Sequence, residues 1–238
     1  MQIKLDSRLM AAAELVLPDK PAADIGTDHS YLPVYLVVNG ICPRVIATDK
    51  SRGSFQKAQQ LVELLSLEHQ IDVRLGDGLE PLQPQEAATI IISGMGGHLI
   101  KDILAASPHI TAGCRRLVLQ PQKHIAMLRQ WLAANDWRIV AEQIAFDNGF
   151  YYELLAAEHG QMTLSEDEAV FGPLLLRDPH PLFGQYLRAK LADLHTLIEQ
   201  LQEAPSTDAK QRLQTLQVLT DKIERILREE VNDEVKKC

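Results

Sequence analysis

Four short segments in the first hundred residues carry the side chains that could do chemistry. The first, Ala23-Asp24-Ile25-Gly26-Thr27-Asp28-His29, sets carboxylates on either side of a single glycine. Asp49 closes the run Val45-Ile46-Ala47-Thr48-Asp49, then come Gly76-Asp77-Gly78 and Ser93-Gly94-Met95-Gly96-Gly97. Each lies at the C-terminal end of a short apolar run and is followed by a helix-like segment. Open α/β sheets bind ligands in the crevice outside those strand ends, so four signals in succession describe one site.

The residue types limit what that site could hold. A dinucleotide site uses Gly-x-Gly-x-x-Gly, which lets backbone approach a pyrophosphate at a helix N-terminus. Only Gly26 is present here, and the carboxylates of Asp24 and Asp28 would repel a pyrophosphate. They suit a ligand with a cationic centre and an ammonium group. S-adenosylmethionine fits, with its sulfonium, amine, ribose and adenine. Asp49 follows the first glycine by about twenty residues, where a carboxylate can accept both ribose hydroxyls. Asp77, between glycines, can accept the adenine amino proton. The glycines of the fourth segment clear space where methyl group and acceptor must meet, or form a wall for a planar base. The residues expected to hold the cofactor are Asp24, Gly26, Thr27, Asp49, Lys50, Asp77, Gly78, Ser93, Gly94, Met95 and Gly96. No metal-ligand spacing is present. The fourth segment is neither Asn-Pro-Pro-Tyr nor Asp-Pro-Pro-Tyr, the signature of many exocyclic-amine methyltransferases, which points to a ring nitrogen or another acceptor. The competing structural role for a lone carboxylate at a strand end is a helix cap.

Alternating elements must position these residues. Residues 7–17 read as a helix with Leu9, Ala12, Ala13 and Val16 on one face, ended by Pro18 and Pro21. Strand-like runs follow at 22–26, 44–49, 71–75, 89–93, 116–120, 138–146 and 151–157, with helix-like segments at 32–38, 54–65, 97–106 and 125–135. Asn148-Gly149 between the last two runs is a hairpin signal. The expected fold is α/β, a mostly parallel sheet closed by an antiparallel hairpin. Residues 161–181, with Gly172, Pro173, Pro179 and Pro181, read as a compact linker or cap. Leu187, Leu191, Leu194, Ile198 and Leu201 form one seam, and Leu213, Leu216, Ile223 and Leu227 another, separated by a break at 204–208. Steps of four and three make a coiled-coil seam, and the short break makes an antiparallel helical hairpin. The expected domains are 1–160 and 161–238.

Composition sets the bounds. The chain has 238 residues, 24 Lys and Arg against 32 Asp and Glu, and a net charge of −8. An acidic total disfavours a nucleic-acid partner, although local patches rather than totals bind phosphate. Lys50, Arg52 and Lys57 form one basic grouping, and Arg115, Arg116, Lys123, His124 and Arg129 another. No run is apolar and long enough to span a bilayer, and Met1-Gln2-Ile3-Lys4-Leu5-Asp6 lacks the apolar core of a signal peptide. Cys42, Cys114 and Cys238 are odd in number. Together these features fit a reducing cytoplasm, with Cys42 and Cys114 as packed small apolar residues.

Several segments together resemble the bacterial tRNA (adenine-22-N1)-methyltransferase family. They are Ser7-Arg8-Leu9, Ala23-Asp24-Ile25-Gly26-Thr27-Asp28-His29-Ser30-Tyr31-Leu32-Pro33, Gly76-Asp77-Gly78-Leu79, Gly94-Met95-Gly96-Gly97 and Leu119-Gln120-Pro121. Tyr152-Glu153 and Phe171-Gly172-Pro173 extend the resemblance along the chain. It implies a class I methyltransferase (Rossmann-like) domain with a C-terminal coiled coil. The implied reaction is methyl transfer from S-adenosylmethionine to N1 of an adenine in the D-arm of tRNA.

Adenine N1 carries no proton to remove, and its methylation puts positive charge on the ring, shared with the exocyclic amine. A carboxylate near that amine stabilises the developing charge more than the neutral ground state. Asp28 is the candidate, with His29 and Tyr31 positioning or stacking, and Arg8 reaching the pocket mouth or a phosphate. Lys4, Lys50, Arg52, Lys57, Lys123 and Arg129 could contact the RNA backbone. The expected partner is tRNA through its D-arm, with no membrane and no obligate protein partner, the chain acting as a monomer. The residues alone leave three other readings open: an S-adenosylmethionine enzyme acting on a small molecule, a non-catalytic cofactor-binding module with a helical arm, and a dehydrogenase.

Overall fold

The computed structural model describes residues 4–203 and 207–237. Ala204, Pro205 and Ser206 of the expected break, Cys238, and Met1–Ile3 of the segment read as lacking a signal-peptide core lie outside the described residues. The chain forms two compact units, Met1–Asp178 and Pro179–Cys238.

The first unit runs α1 (Ser7–Glu14), β1 (Ala22–Ile25), α2 (Tyr31–Val38), β2 (Val45–Asp49), α3 (Arg52–Leu64), β3 (Ile71–Leu75), β4 (Thr89–Met95), α4 (Gly97–Ala106), α5 (Pro108–Thr111), β5 (Arg116–Pro121), α6 (Ile125–Ala134), β6 (Trp137–Asp147), β7 (Phe150–His159), α7 (Glu166–Phe171) and α8 (Pro173–Arg177). The strands form one sheet in the order β3-β2-β1-β4-β5-β7-β6. β1 pairs in parallel with β2 and β4, β2 with β3, and β4 with β5. β7 runs antiparallel to both β5 and β6.

Strands covered on both faces favour near-continuous apolar runs, and β1 and the first four residues of β4 are fully buried, with Asp24 and Thr89 their only polar members. Alternate side chains feed two cores. Ala22, Val45, Ala47, Ile91 and Val118 pack with α1, α2 and α3 residues such as Ala12, Leu36 and Val62. Ala23, Ile46, Ile90, Ile92 and Leu119 pack with Ile100 and Leu104 of α4 and Leu128 and Leu132 of α6. The buried thiols of Cys42 and Cys114 belong to these cores, and burial pushes them up to about 11 and about 12.

Local chemistry sets the boundaries. Asp6 accepts from the Leu9 N–H at 2.7 Å and starts α1. That helix ends at Glu14 rather than 17, because the N–H groups of Leu15 and Val16 turn to the carbonyls of Ala12 and Ala13, a tighter last turn ahead of Pro18. Asn148 and Gly149 take φ of 48° and 86°, the left-handed pair that a two-residue hairpin requires. The expectation that every strand-end signal leads into a helix fails after β3. Residues 76–88 carry Pro81 and Pro84, which cannot supply helical N–H donors, and the chain there forms turns.

The first compact unit runs on past Gly160 to Asp178. Residues 161–178 hold α7, started by a Ser165/Glu168 capping box, and α8. Both are tied to the sheet domain through one fully buried cation. Arg129 on α6 donates to Glu142 and Glu153 at 2.8 Å each and to the carbonyl of Ala169 at 3.2 Å. Glu142 accepts in turn from the Leu174 N–H at 2.8 Å. Arg129 therefore cannot serve as the RNA contact expected of it, and Arg116 is occupied by Glu158 and the Leu15 carbonyl.

In the second unit α9 (Phe183–Glu203) and α10 (Thr207–Lys237) pack on one another. Leu187, Leu194 and Ile223 of the expected seams are buried, and the other seam residues are half-buried. No helix among the described residues is long and apolar enough to cross a membrane.

Candidate active site

The strand order reverses at β1, between β2 and β4, and that is where the carboxyl edge of the sheet opens into a cavity of about 210 Å³. Its lining includes Gly26, Asp49, Lys50, Asp77, Gly78, Ser93, Gly94 and Met95, eight of the eleven residues expected to hold the cofactor. Thr48, Leu99 and Ile103 also line it and carried no signal in the sequence, since each is an ordinary strand or helix residue until the fold turns it inward. Asp24, Thr27 and Gly96 stand outside the lining.

Close backbone approach shapes the first loop. Gly26, at φ +77°, and Thr27 both donate to the Thr48 carbonyl, at 2.8 and 2.9 Å. A Cβ at Gly26 would meet only the terminal methyl of Met95, which can move aside, so it is the positive φ that calls for glycine there. Asp49 accepts from the Ser51 N–H at 2.8 Å and from the Asp28 N–H at 3.3 Å. A carboxylate has about four acceptor sites, so two backbone donors leave capacity for a diol. Lys50 pairs with Asp77 across 3.6 Å, both largely exposed.

Asp28 does not cap α2. Its carboxylate accepts from Ser54 Oγ at 3.2 Å and lies 3.4 Å from His29 Nε2, and the N-cap of α2 is Ser30, which makes no side-chain cap hydrogen bond. Asp28 and Ser30 both have positive φ, 48° and 56°, an unusual backbone for non-glycine residues. The His29 and Tyr31 rings stack 5.3 Å apart at 15°, with Tyr31 46% exposed.

Arg8 reaches the strand ends from α1. Its Nη1 donates to Ser93 Oγ at 3.1 Å and to Gln120 Oε1 at 3.3 Å, and its guanidinium lies 5.9 Å from the Tyr152 ring centroid. Gln120 Oε1 also accepts from the Gly94 N–H at 2.9 Å. Gln120 is fully buried and had no assigned role in the sequence. The signal available was a polar residue at the end of an apolar strand, Leu117-Val118-Leu119-Gln120. The three glycines of the fourth segment divide. Gly94 borders the cavity and Gly96 is the N-cap of α4. A Cβ at Gly97 would strike the carbonyls of Lys123 and His124, so this glycine lets α4 pack rather than clearing the reaction space.

Burial pushes the Asp24 carboxyl up to about 6, opposed by a hydrogen bond from Thr27 and by the positive charge of Arg8. The donor set fits S-adenosylmethionine. Carboxylates at 49 and 77 line the cavity and match a ligand's diol and amine donors, the buried Asp24 lies outside the lining, and the buried Thr48 Oγ1 in the lining has no hydrogen-bond partner among the described residues.

With only β7 reversed in a 3-2-1-4-5-7-6 sheet, and carboxylates in place of phosphate-binding glycines, the chain has the class I methyltransferase fold. A family model described as tRNA (adenine(22)-N(1))-methyltransferase matches residues 22–228. The Bacillus subtilis (strain 168) tRNA (adenine(22)-N(1))-methyltransferase is 36% identical over 229 residues, covering 94% of this chain and 95% of that protein. The crystal structure of the B. subtilis m1A22 tRNA methyltransferase matches with a TM-score of 0.84 at 33% identity, over 95% of this chain and 100% of that one. Streptococcus pneumoniae Sp1610 in complex with S-adenosyl-L-methionine matches with a TM-score of 0.85 at 34% identity, over 94% of this chain and 100% of that one. This chain belongs to the tRNA (adenine(22)-N(1))-methyltransferase family. It is an S-adenosylmethionine-dependent tRNA (adenine-N1)-methyltransferase.

Proposed function

We propose that the carboxyl-edge cavity binds S-adenosylmethionine and that Asp28 stabilises the charge created when N1 of adenine 22 is methylated. Asp49 holds the ribose, Asp77 the adenine amine, and Asp24 favours the ligand's ammonium through its charge. S-adenosylmethionine supplies the electrophilic methyl group. The N1 lone pair forms the new bond, and no proton needs to leave.

One observation carries the role of Asp28. Its backbone is pinned to Asp49 and its carboxylate is held by Ser54 and His29, not spent on a helix cap. The Asp28 carboxylate, outside the cavity lining and 63% exposed, is already held by Ser54 and His29, so it needs little reorganisation when the adenine ring becomes cationic beside it. His29 and Tyr31 offer a stacked, part-exposed ring pair to a base drawn out of the D-arm. Arg8, bonded to Ser93 and Gln120, positions the strand ends rather than reacting. The chain acts on tRNA in the cytoplasm as a monomer, its α9–α10 hairpin forming a coiled coil. We retain 1–160 and 161–238 as the functional division, with α7 and α8 docked on the catalytic domain.

Incubating the protein with S-adenosylmethionine and tRNA from cells lacking this modification tests the reading. Digestion and mass spectrometry should show 1-methyladenosine with the wild type and a loss of roughly 100-fold or more in rate with Asp28→Ala. Wild-type rates in Asp28→Ala would remove Asp28 from the mechanism.

A further inference from the structure

The tip of the β6–β7 hairpin carries aromatic rings on both of its faces, and the methyl-transfer site uses none of them. Phe146 and Tyr151, paired across the hairpin, pack on one face with centroids 4.6 Å apart at 46° and Phe146 46% exposed, while Phe150, paired with Asp147, stands on the opposite face and is 66% exposed. Exposed phenylalanines at a tight turn lose hydrophobic stabilisation unless something covers them.

The strand register places this tip. β7 pairs antiparallel with β5 up to Leu119–Leu155, and β5 ends at Pro121, whereas β7 begins at Phe150. The tip therefore projects beyond the carboxyl end of β5 by roughly 10 Å, at about 3.3 Å per residue. That is the sheet edge on which the cofactor cavity opens. The hairpin is also fastened to the site. The guanidinium of Arg8 lies over Tyr152, one pair in from Phe146 and Tyr151, while bonding Ser93 and Gln120. The N–H and hydroxyl of Ser7 each donate to Asp147 at 3.5 Å.

We propose that this hairpin tip is a stacking platform for unpaired nucleobases of the tRNA D-arm flanking the target adenine. This rests on the assignment of tRNA as substrate. The chemistry favours base faces over backbone. Phe146-Asp147-Asn148-Gly149-Phe150-Tyr151 has no Lys or Arg, and Asp147 repels phosphate, but every base offers a π-face to an aromatic ring. Single-stranded and splayed RNA is recognised through such stacking. The hairpin would hold the neighbouring bases while the target is withdrawn into the site.

The test uses full-length protein with Phe146→Ala, Phe150→Ala, the double variant and Phe150→Trp. Binding of fluorescently labelled tRNA is measured by anisotropy, which needs no turnover, alongside steady-state kinetics, cofactor affinity and thermal melting. Each stacked base lost should weaken tRNA binding by about 5- to 150-fold. KM for tRNA should rise, with cofactor affinity and melting temperature unchanged, and Phe150→Trp should bind like the wild type. A 2-aminopurine in the D-loop should be quenched by the wild type and less by the double variant. A folded, cofactor-binding double variant with wild-type tRNA affinity overturns the proposal. So does a wild-type dimer, seen by sedimentation, that the double variant abolishes, because the rings would then cover a second copy. A wild type that binds tRNA through these rings yet transfers no methyl would sink the reaction assignment and leave the platform standing.

Discussion

The backbone N–H of Asp28 donates to Asp49 Oδ2 across 3.3 Å, so the loop carrying the catalytic candidate hangs on the residue assigned to the ribose. Removing the Asp49 carboxylate should therefore disturb both functions. Hydrogen bonds to a charged group contribute about 1.5–3 kcal/mol, so Asp49→Ala should weaken cofactor affinity roughly 10- to 100-fold, with a further fall in kcat at saturating cofactor. Asp49→Asn, which keeps an acceptor, should lose less. Calorimetric titration decides it, and unchanged affinity in Asp49→Ala would refute the ribose assignment.

Asp24 gives the site a pH dependence. Burial raises its folded value to about 6, above the ordinary carboxyl value near 4. Between those values the folded protein holds a proton that the unfolded chain has released. The stability of the cofactor-free protein should therefore fall as pH rises through that window, by an amount on the order of 3 kcal/mol. A ligand ammonium favours the ionised form, so cofactor affinity should rise as pH rises through about 6. Asp24→Asn should flatten both profiles. Melting curves and calorimetry across that range check the two signs separately.

Gln120 should behave as a positioning residue. Gln120→Leu strips the acceptor from the Gly94 N–H and from Arg8, each a cost of about 1–3 kcal/mol if left unpaired. kcat should fall roughly 5- to 100-fold, since the Gly94 segment borders the cavity. Gln120→Glu, which keeps the acceptor oxygens, should recover more of kcat than it recovers of stability. A Gln120→Leu protein with wild-type kcat would show that the network is idle.

Arg129 is a matter of stability. Burial pushes the Glu142 carboxyl up, and Arg129 and the Leu174 N–H pull it back. Arg129→Ala leaves two acidic side chains without their buried cation, a loss of about 3–5 kcal/mol. The melting temperature should fall by roughly 10 °C, with α7 and α8 losing hydrogen-exchange protection first. Arg129→Lys should rescue little, because an ammonium cannot reproduce the guanidinium fork. A melting temperature within a degree or so of wild type would contradict the buried-lock account.

Much of this was legible in the sequence where local rules and tertiary packing agree. Every strand could be found because apolar runs such as Ile90-Ile91-Ile92 stand between glycines, prolines and carboxylates, and Asn148-Gly149 fixes its own turn. The strand-end residues that meet in the cavity were legible because sheet winding alone brings the ends of β1, β2 and β4 together. What stayed hidden depends on partners distant in the chain. Arg129 looks like a surface cation until Glu142 and Glu153 enclose it, and residues 161–178 look like a linker until that cation docks them. The duty of Gly97, to admit the carbonyls of Lys123 and His124, is visible only once α4 and the segment before α6 are set side by side.

The most direct measurement of the central claim compares two tRNA transcripts that differ only by adenine or guanine at position 22. With S-adenosylmethionine carrying a labelled methyl group, the wild type should place one label on N1 of adenine 22. It should place none on the guanine transcript, and Asp28→Ala should be slowed by roughly 100-fold or more. Equal labelling of both transcripts, or label on another atom or nucleotide, would contradict the account.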